Sequence, residues 1–400
     1  YIAFYNLGTA YQRKDKFDEA IDYYKKAIEL NPKDSLAYHG VGISYHKENK
    51  IDKAVNYYKK AIELNPKNSM AYHGLGKVFE DLKQFDKAIS YYKKTIELNP
   101  KDSLAFYALG NLYQTQNKLD EAIEIYKKAI IIDSNNFMAL YGLGSIYFTL
   151  NKLDKAISYY NKAIETGLAD ESIYCSLGLA YEKLENFSEA KLNYQKALKI
   201  NSNSDIAYYS LGQVYSKENK LDKAINYYKK AIELNPKNYQ ALFSLNYIYQ
   251  NQNRLDEVIN IHLTLLEINP NDENILLNLA LTYQMQSKFD ESEKTYLKVL
   301  NLNSKNEALY YGLGNLYQLR NELNKAINIY TLGLKEYPNN DIFYYNLGLI
   351  YEMQNQLVKA IENYKKARKI NPNLSNISEK IKSCYKELGK TDEEINNILI

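Results

Sequence analysis

Side chains able to ligate a metal or attack an electrophile are few in this chain, and their spacing argues against both uses. It holds four histidines and two cysteines in 400 residues. His39 and His46 lie two helical turns apart, and His73 follows His39 by 34 residues. One ion would need ligands at i,i+3 or i,i+4 with an acidic companion, so a seven-residue gap is too long. A polar patch is the simpler expectation for these three imidazoles. Cys175 has no histidine or aspartate near it in sequence, which leaves a thiol nucleophile without a base. Cys384 is far away, so the pair forms neither a disulfide framework nor a metal cluster, as expected in a reducing compartment. The glycines stand singly inside helical segments and build no phosphate loop. The chain is therefore expected to be no enzyme and to carry no catalytic residue, metal or cofactor.

What positions these side chains is a repeat. All seven prolines, Pro32, Pro66, Pro100, Pro236, Pro270, Pro338 and Pro372, are separated only by multiples of 34 residues. Counting positions from Tyr1, position 8 is glycine at Gly8, Gly42, Gly76, Gly110, Gly144, Gly178, Gly212, Gly314 and Gly348. Position 11 is tyrosine or phenylalanine throughout, position 20 is mostly alanine, position 24 is aromatic and position 27 is again mostly alanine. From Ile2 to Arg13 the residues Phe4, Leu7, Gly8 and Tyr11 fall at three-and-four spacing, one face of a helix. Lys14-Asp15-Lys16 breaks it. A second helix carries Ala20, Ile21, Tyr24, Ala27 and Ile28 and stops at Asn31-Pro32, because proline lacks an N–H and drives the preceding residue out of the α region. Asp18, Asp52, Asp86 and Asp120, early in the second helix, are expected to serve its unpaired N–H groups. Small residues at positions 8 and 20 let the two backbones approach.

This pattern resembles the tetratricopeptide repeat. The resemblance covers eleven full repeats (1–374) and a partial twelfth or capping helices (375–400), and departs from the family in having no tryptophan at position 4. It implies an all-α fold, a right-handed α-α superhelical solenoid of 34-residue helix-turn-helix repeats, in which each repeat contacts only its neighbours. It also implies a non-enzymatic scaffold that binds protein or peptide segments along its concave groove. Net charge is +3, from 51 basic and 48 acidic residues, which disfavours nucleic acid as a partner. No apolar run is long enough to span a membrane. Lysine pairs such as Lys25-Lys26 and Lys59-Lys60 are followed by glutamate at helical spacing and read as a solvated convex face. A cytoplasmic setting is expected, with association to cilium or cytoskeleton as a variant. The chain starts in phase at Tyr1 without methionine or leader, as expected of a piece of a longer protein. Its flanks would then decide two rival readings: the recognition arm of an enzyme such as an O-linked glycosyltransferase, and a structural element of a ciliary or centriolar assembly.

In the family the first helix lines the groove. Position 5 here gives Tyr5, His39, His73, Tyr107, Tyr141, Tyr209, Phe243, Tyr311 and Tyr345, expected to form an aromatic ladder suited to anchoring a partner. Position 6 is small in several repeats (Gly40, Gly74, Ala108, Gly142, Gly312), which should leave room beside each ring. Gln114, Gln250 and Gln318 at position 12 are expected to pair with a bound peptide backbone. The lysine and asparagine set that grips chaperone carboxylates in some relatives is missing, since Ile2, Leu36 and Met70 stand there. The asparagine ladder of the glycosyltransferases matches only at Asn6, Asn278 and Asn346. Repeat 8 breaks the pattern with Asn246, Val258, His262 and Leu265, which should force its helices apart. At 166–170 the sequence Thr-Gly-Leu-Ala-Asp replaces the usual stop, with Gly167 able to end the helix.

Overall fold

The computed structural model describes residues 1–302 and 305–399, with side chains described as far as Ile395. Among them are 24 α-helices and no strand. The chain divides into two compact units, Tyr1–Glu218 and Asn219–Ile400. Within each unit helices alternate strictly. A first helix such as Ser35–Lys47 is followed by a second such as Ile51–Leu64, and the register recurs every 34 residues. Packing follows sequence order. Within each unit each helix touches the next, and beyond marginal contacts only first helices also touch first helices of the adjacent repeat. The first-helix side of each stack is thereby the closer-packed one.

A tyrosine lock holds the pairs together. Tyr24 is 2% exposed and lies flat between two helices. A Cβ on Gly8 would sit 2.7 Å from its ring, and a Cβ on Gly40, in the next repeat, 2.6 Å from it. The same sandwich recurs at Tyr58 (Gly42 and Gly74) and Tyr126 (Gly110 and Gly142). Each glycine is present because any side chain would enter the ring; the helix-propensity cost of about 1 kcal/mol is offset by the buried ring. Alanines 20, 54, 88, 122, 156, 190, 224, 326 and 360 are fully buried beside these rings. The buried hydroxyls are not stranded. Position 12 accepts from them: Tyr24 to Gln12 at 3.2 Å, Tyr92 to Glu80 at 2.7 Å, Tyr126 to Gln114 at 3.0 Å, Tyr194 to Glu182 at 2.8 Å, Tyr330 to Gln318 at 3.0 Å.

The helix ends differ from expectation. Second helices have no side-chain cap at Lys16, Lys50, Gln84 or Lys118, and their aspartates are described in no capping bond, leaving them only a dipole role. Side-chain caps are found mainly on the first helices, from position 34, with Asn186 an exception that caps the second helix Phe187–Ile200 through Glu189 N at 3.3 Å. Asp34 accepts from Leu36 N at 3.0 Å, Asn68 from Ala71 N at 3.1 Å and Asp102 from Ala105 N at 3.0 Å. The break between helices is a left-handed residue at position 15: Asp15, Asn49, Lys83, Asn117, Asn151 and their counterparts, with φ of 54° to 60°. The N–H after it returns to position 11, as from Lys50 to the Tyr45 carbonyl at 2.8 Å, the bond that closes a left-handed helix terminus. Gly167 has φ +80° and follows a helix that ends at Glu165, as its sequence suggested.

Candidate functional site

The position-5 rings lie on the first helices and lean on the lock. Ring centroids are 5.6 Å apart for Tyr5–Tyr24, 5.8 Å for His39–Tyr58, 5.3 Å for His73–Tyr92, 6.0 Å for Tyr107–Tyr126 and 5.7 Å for both Tyr141–Tyr160 and Tyr345–Tyr364. One face of each is held; the residue as a whole is half-buried. Tyr141 also donates to or accepts from Ser176 Oγ at 3.1 Å, and Tyr209 accepts from Gln213 Nε2 at 2.6 Å. In the second unit Phe243 and Tyr311 are more open, at 50% and 48% exposure.

Two features of the sequence reading change. The small residues at position 6 do not leave vacant space beside the ladder, because the space above Gly40, Gly74, Gly142 and Gly312 is filled by Tyr24, Tyr58, Tyr126 and Tyr296 of the preceding repeats. The glutamines at position 12 divide. Gln114 and Gln318 spend Oε1 on the locking tyrosines, whereas Gln250 is exposed, in the repeat that has His262 in place of the tyrosine.

A rim that sequence reasoning had not singled out flanks the ladder. Positions 2 and 13 put apolar side chains in solvent, among them Ile2, Leu104 and Ile206 at 59%, 63% and 58% exposure. All four methionines of the chain are on it. Met70 and Met138 are 49% and 45% exposed, Met285 and Met353 59% each. Their shared positions were a readable signal: a residue type confined to two faces of a periodic helix marks that face. Opposite, the second helices carry exposed lysines paired along the helix, as Lys60–Glu63 at 2.9 Å and Lys94–Glu97 at 2.7 Å.

Electrostatics oppose covalent and metal chemistry at these groups. Burial, reinforced by neighbouring carboxylates, pushes the Cys175 thiol up to about 12, and burial with Glu352 nearby pushes Cys384 up to about 11, so both remain thiols at neutral pH. Burial, with His73 beside it, pushes His39 down to about 4, and burial lowers His73. His46 Nε2 is 2.8 Å from Asp81. Among the described residues no three His, Cys, Asp or Glu side chains are placed to share a metal ion, and no helix is long and apolar enough to cross a membrane.

Profiles of the tetratricopeptide repeat match residues 1–34, 172–204, 206–238 and 342–374, 107–171, 68–135, 23–56 and 227–259 and 273–306. A further TPR repeat profile matches 42–83. Among solved structures, a crystal structure of MamA protein is 30% identical over 43% of this chain and 94% of its own, with a TM-score of 0.39. The crystal structure of YrrB, a TPR protein with an unusual peptide-binding site, is 21% identical over 55% of this chain and 96% of its own, with a TM-score of 0.36. Yeast Tom70 is 18% identical over 100% of this chain and 98% of its own, also at 0.36. No curated protein matches the chain.

Proposed function

The chain belongs to the tetratricopeptide repeat family of protein-interaction scaffolds, and from that premise we propose that it holds a segment of a partner protein along its first-helix face without catalysing a reaction. The observation that carries this is the ladder with its rim. Aromatic rings are pinned on one side by the locking tyrosines, open on the other, and flanked by exposed apolar side chains that include every methionine. Rings already immobilised lose little entropy when a partner covers them, and methionine adapts to differently shaped partners. The thiols are protonated, and His39 and His73 are packed against tyrosine rings, which suits contact and not turnover.

Tyr107→Ala combined with Tyr141→Ala tests the reading. Both rings are surface members of their stacks, so the array should stay helical by circular dichroism while partner binding weakens, each lost anchor contributing about 1 kcal/mol or more. Lys25→Glu with Lys26→Glu, on the opposite side, should change binding little. If the lysine pair abolishes binding and the tyrosine pair does not, the first-helix face is not the site and a lattice built through the convex face takes its place.

A further inference from the structure

One stretch of the first-helix face in Tyr1–Glu218 is shaped and charged unlike its neighbours. Between the first helices of repeats 2, 3 and 4 (Ser35–Lys47, Ser69–Asp81 and Ser103–Thr115) lies an open cleft of about 350 Å³, within the size range of side-chain and ligand pockets. His39 and His73 line it together with Ile43, Met70 and Leu104. Both imidazoles are kept neutral by burial. The centre of the cleft is thus lined by uncharged rings and aliphatic groups, with Asp102, His46 and the two lysines also on its lining. One polar atom there is unsatisfied. His73 Nδ1 is buried and has no hydrogen-bond partner in the protein, a costly arrangement that a group entering the cleft can relieve.

The mouth is cationic. Lys47 and Lys77 stand on it, and Arg13 occupies the position in repeat 1 that Lys47 occupies in repeat 2, both exposed. The carboxylates nearby are already engaged. Asp81 is bonded to His46 at 2.8 Å and lies 3.6 Å from Lys77. Glu80 accepts from the Tyr92 hydroxyl at 2.7 Å, and Asp102 caps a helix through Ala105 N at 3.0 Å. Arg13 and Lys47 have no salt bridge among the described residues. The equivalent position is Asp81 in repeat 3 and Thr115 and Thr149 in repeats 4 and 5; lysine returns at Lys183 and Lys217 in repeats 6 and 7, where Lys217 is paired with Glu182 at 2.8 Å.

We propose that this cleft is the docking point for an acidic partner segment, which inserts one large apolar side chain between His39 and His73 and sets its carboxylates against Arg13 and Lys47. The proposal rests on the first-helix face being the binding surface and narrows it to one place and one chemistry. An apolar side chain satisfies the lining, and a main-chain N–H beside it can donate to His73 Nδ1. The flanking carboxylates meet the two free cations, where complementary charge sets preference and encounter rate more than raw affinity.

The test uses the intact chain and three blocked heptapeptides, each with a central phenylalanine flanked by aspartates, by serines or by lysines. The aspartate peptide should shift the ring proton signals of His39 and His73 in NMR spectra and leave His262 in place. Its affinity should fall as salt is raised, and by about tenfold in Arg13→Glu with Lys47→Glu. Both residues are exposed, so this variant should keep its helical circular dichroism, and it should now favour the lysine peptide. Equal binding of all three peptides by the unmodified chain, or histidine signals that none of them moves, would overturn the proposal. A natural partner whose binding is lost with Tyr107→Ala and Tyr141→Ala, but is indifferent to the charge reversal, would leave the broader reading standing and remove this one.

Discussion

Repeat 4 and repeat 8 have the same plan and different interiors. In repeat 4 Tyr126 lies against Gly110, is 1% exposed, and donates to Gln114 at 3.0 Å. In repeat 8 Asn246 replaces the glycine, His262 the tyrosine and Leu265 the alanine. His262 is 1% exposed, and burial pushes its pKa down to about 4. Its Nδ1, Asn246 Oδ1 and the Tyr249 hydroxyl are all buried without a hydrogen-bond partner. The two helices of repeat 8 are also held less closely than those of repeat 4, which agrees with the bulk their sequence places at the small positions. A repeat can therefore lose its lock and keep its helices, because neighbouring repeats supply the remaining packing. The cost is local stability, since each stranded polar group sacrifices hydration without recovering a bond.

The working faces differ in parallel. Repeats 2 to 4 carry a cationic mouth, whereas the first helix of repeat 8, Tyr239–Asn251, has no charged residue and exposes Phe243 and Tyr247 at 50% and 66%. Binding over the first stretch should respond to salt, and binding over the second should not.

The lock comparison is most severely broken by Gly110→Val. A Cβ there would stand 2.7 Å from the Tyr126 ring, so overpacking should destabilise repeat 4 by about 3 kcal/mol. Hydrogen exchange should rise in repeats 3 to 5 and leave repeats 9 to 11 protected; uniform loss along the chain would contradict neighbour-only coupling.

Acid should expose the weakness of repeat 8. His262 has a folded pKa of about 4, below its ordinary value of 6.5, so the unfolded form takes up the proton first. Stability contributed by the neutral ring is fully present above pH 6.5 and is lost as pH falls toward 4, by an amount on the order of a few kcal/mol. Amide exchange in repeat 8 should accelerate over that window, and His262→Tyr should flatten the response there. His39, also pushed down to about 4, should leave an acid response in repeat 2 of the same variant.

Rebuilding the lock should have a smaller, opposite effect. Asn246→Gly, Val258→Ala, His262→Tyr and Leu265→Ala together restore the regular residues and should stabilise repeat 8 by about 1 kcal/mol, the bonded hydroxyl and closer helices offsetting the propensity cost of glycine. A loss of protection in repeat 8 would mean its own packing is already well compensated. Smallest of all, Lys25→Glu with Lys26→Glu should move thermal stability by no more than about 0.5 kcal/mol.

The repeat, its helix pairs and its proline stops were legible because period and composition act through local sterics. The break at position 15 was legible only as a polar gap. Its left-handed backbone is occupied by Asp15, Lys83 and Glu185 as well as by asparagines, and no single residue type announces it. The caps at Asp34, Asn68 and Asp102 were overlooked in favour of aspartates inside the second helix, since both sites offer an oxygen near free N–H groups and only backbone geometry separates them. Position 6 was read as free space for a ligand because a sequence shows that a residue is small and not which neighbour fills the gap. Tyr24 reaches across to Gly40, a contact between repeats that no pattern within one repeat reveals.

The central claim, that a partner segment lies along the first-helix face, has four natural reporters. Met70, Met138, Met285 and Met353 are the only methionines in the chain and are all exposed on that face. With their methyl groups carbon-13 labelled, NMR spectra of the intact chain should give four signals, and a partner captured by it should shift or broaden those along the covered stretch. A partner that binds tightly by calorimetry while all four signals stay where they were would contradict the account.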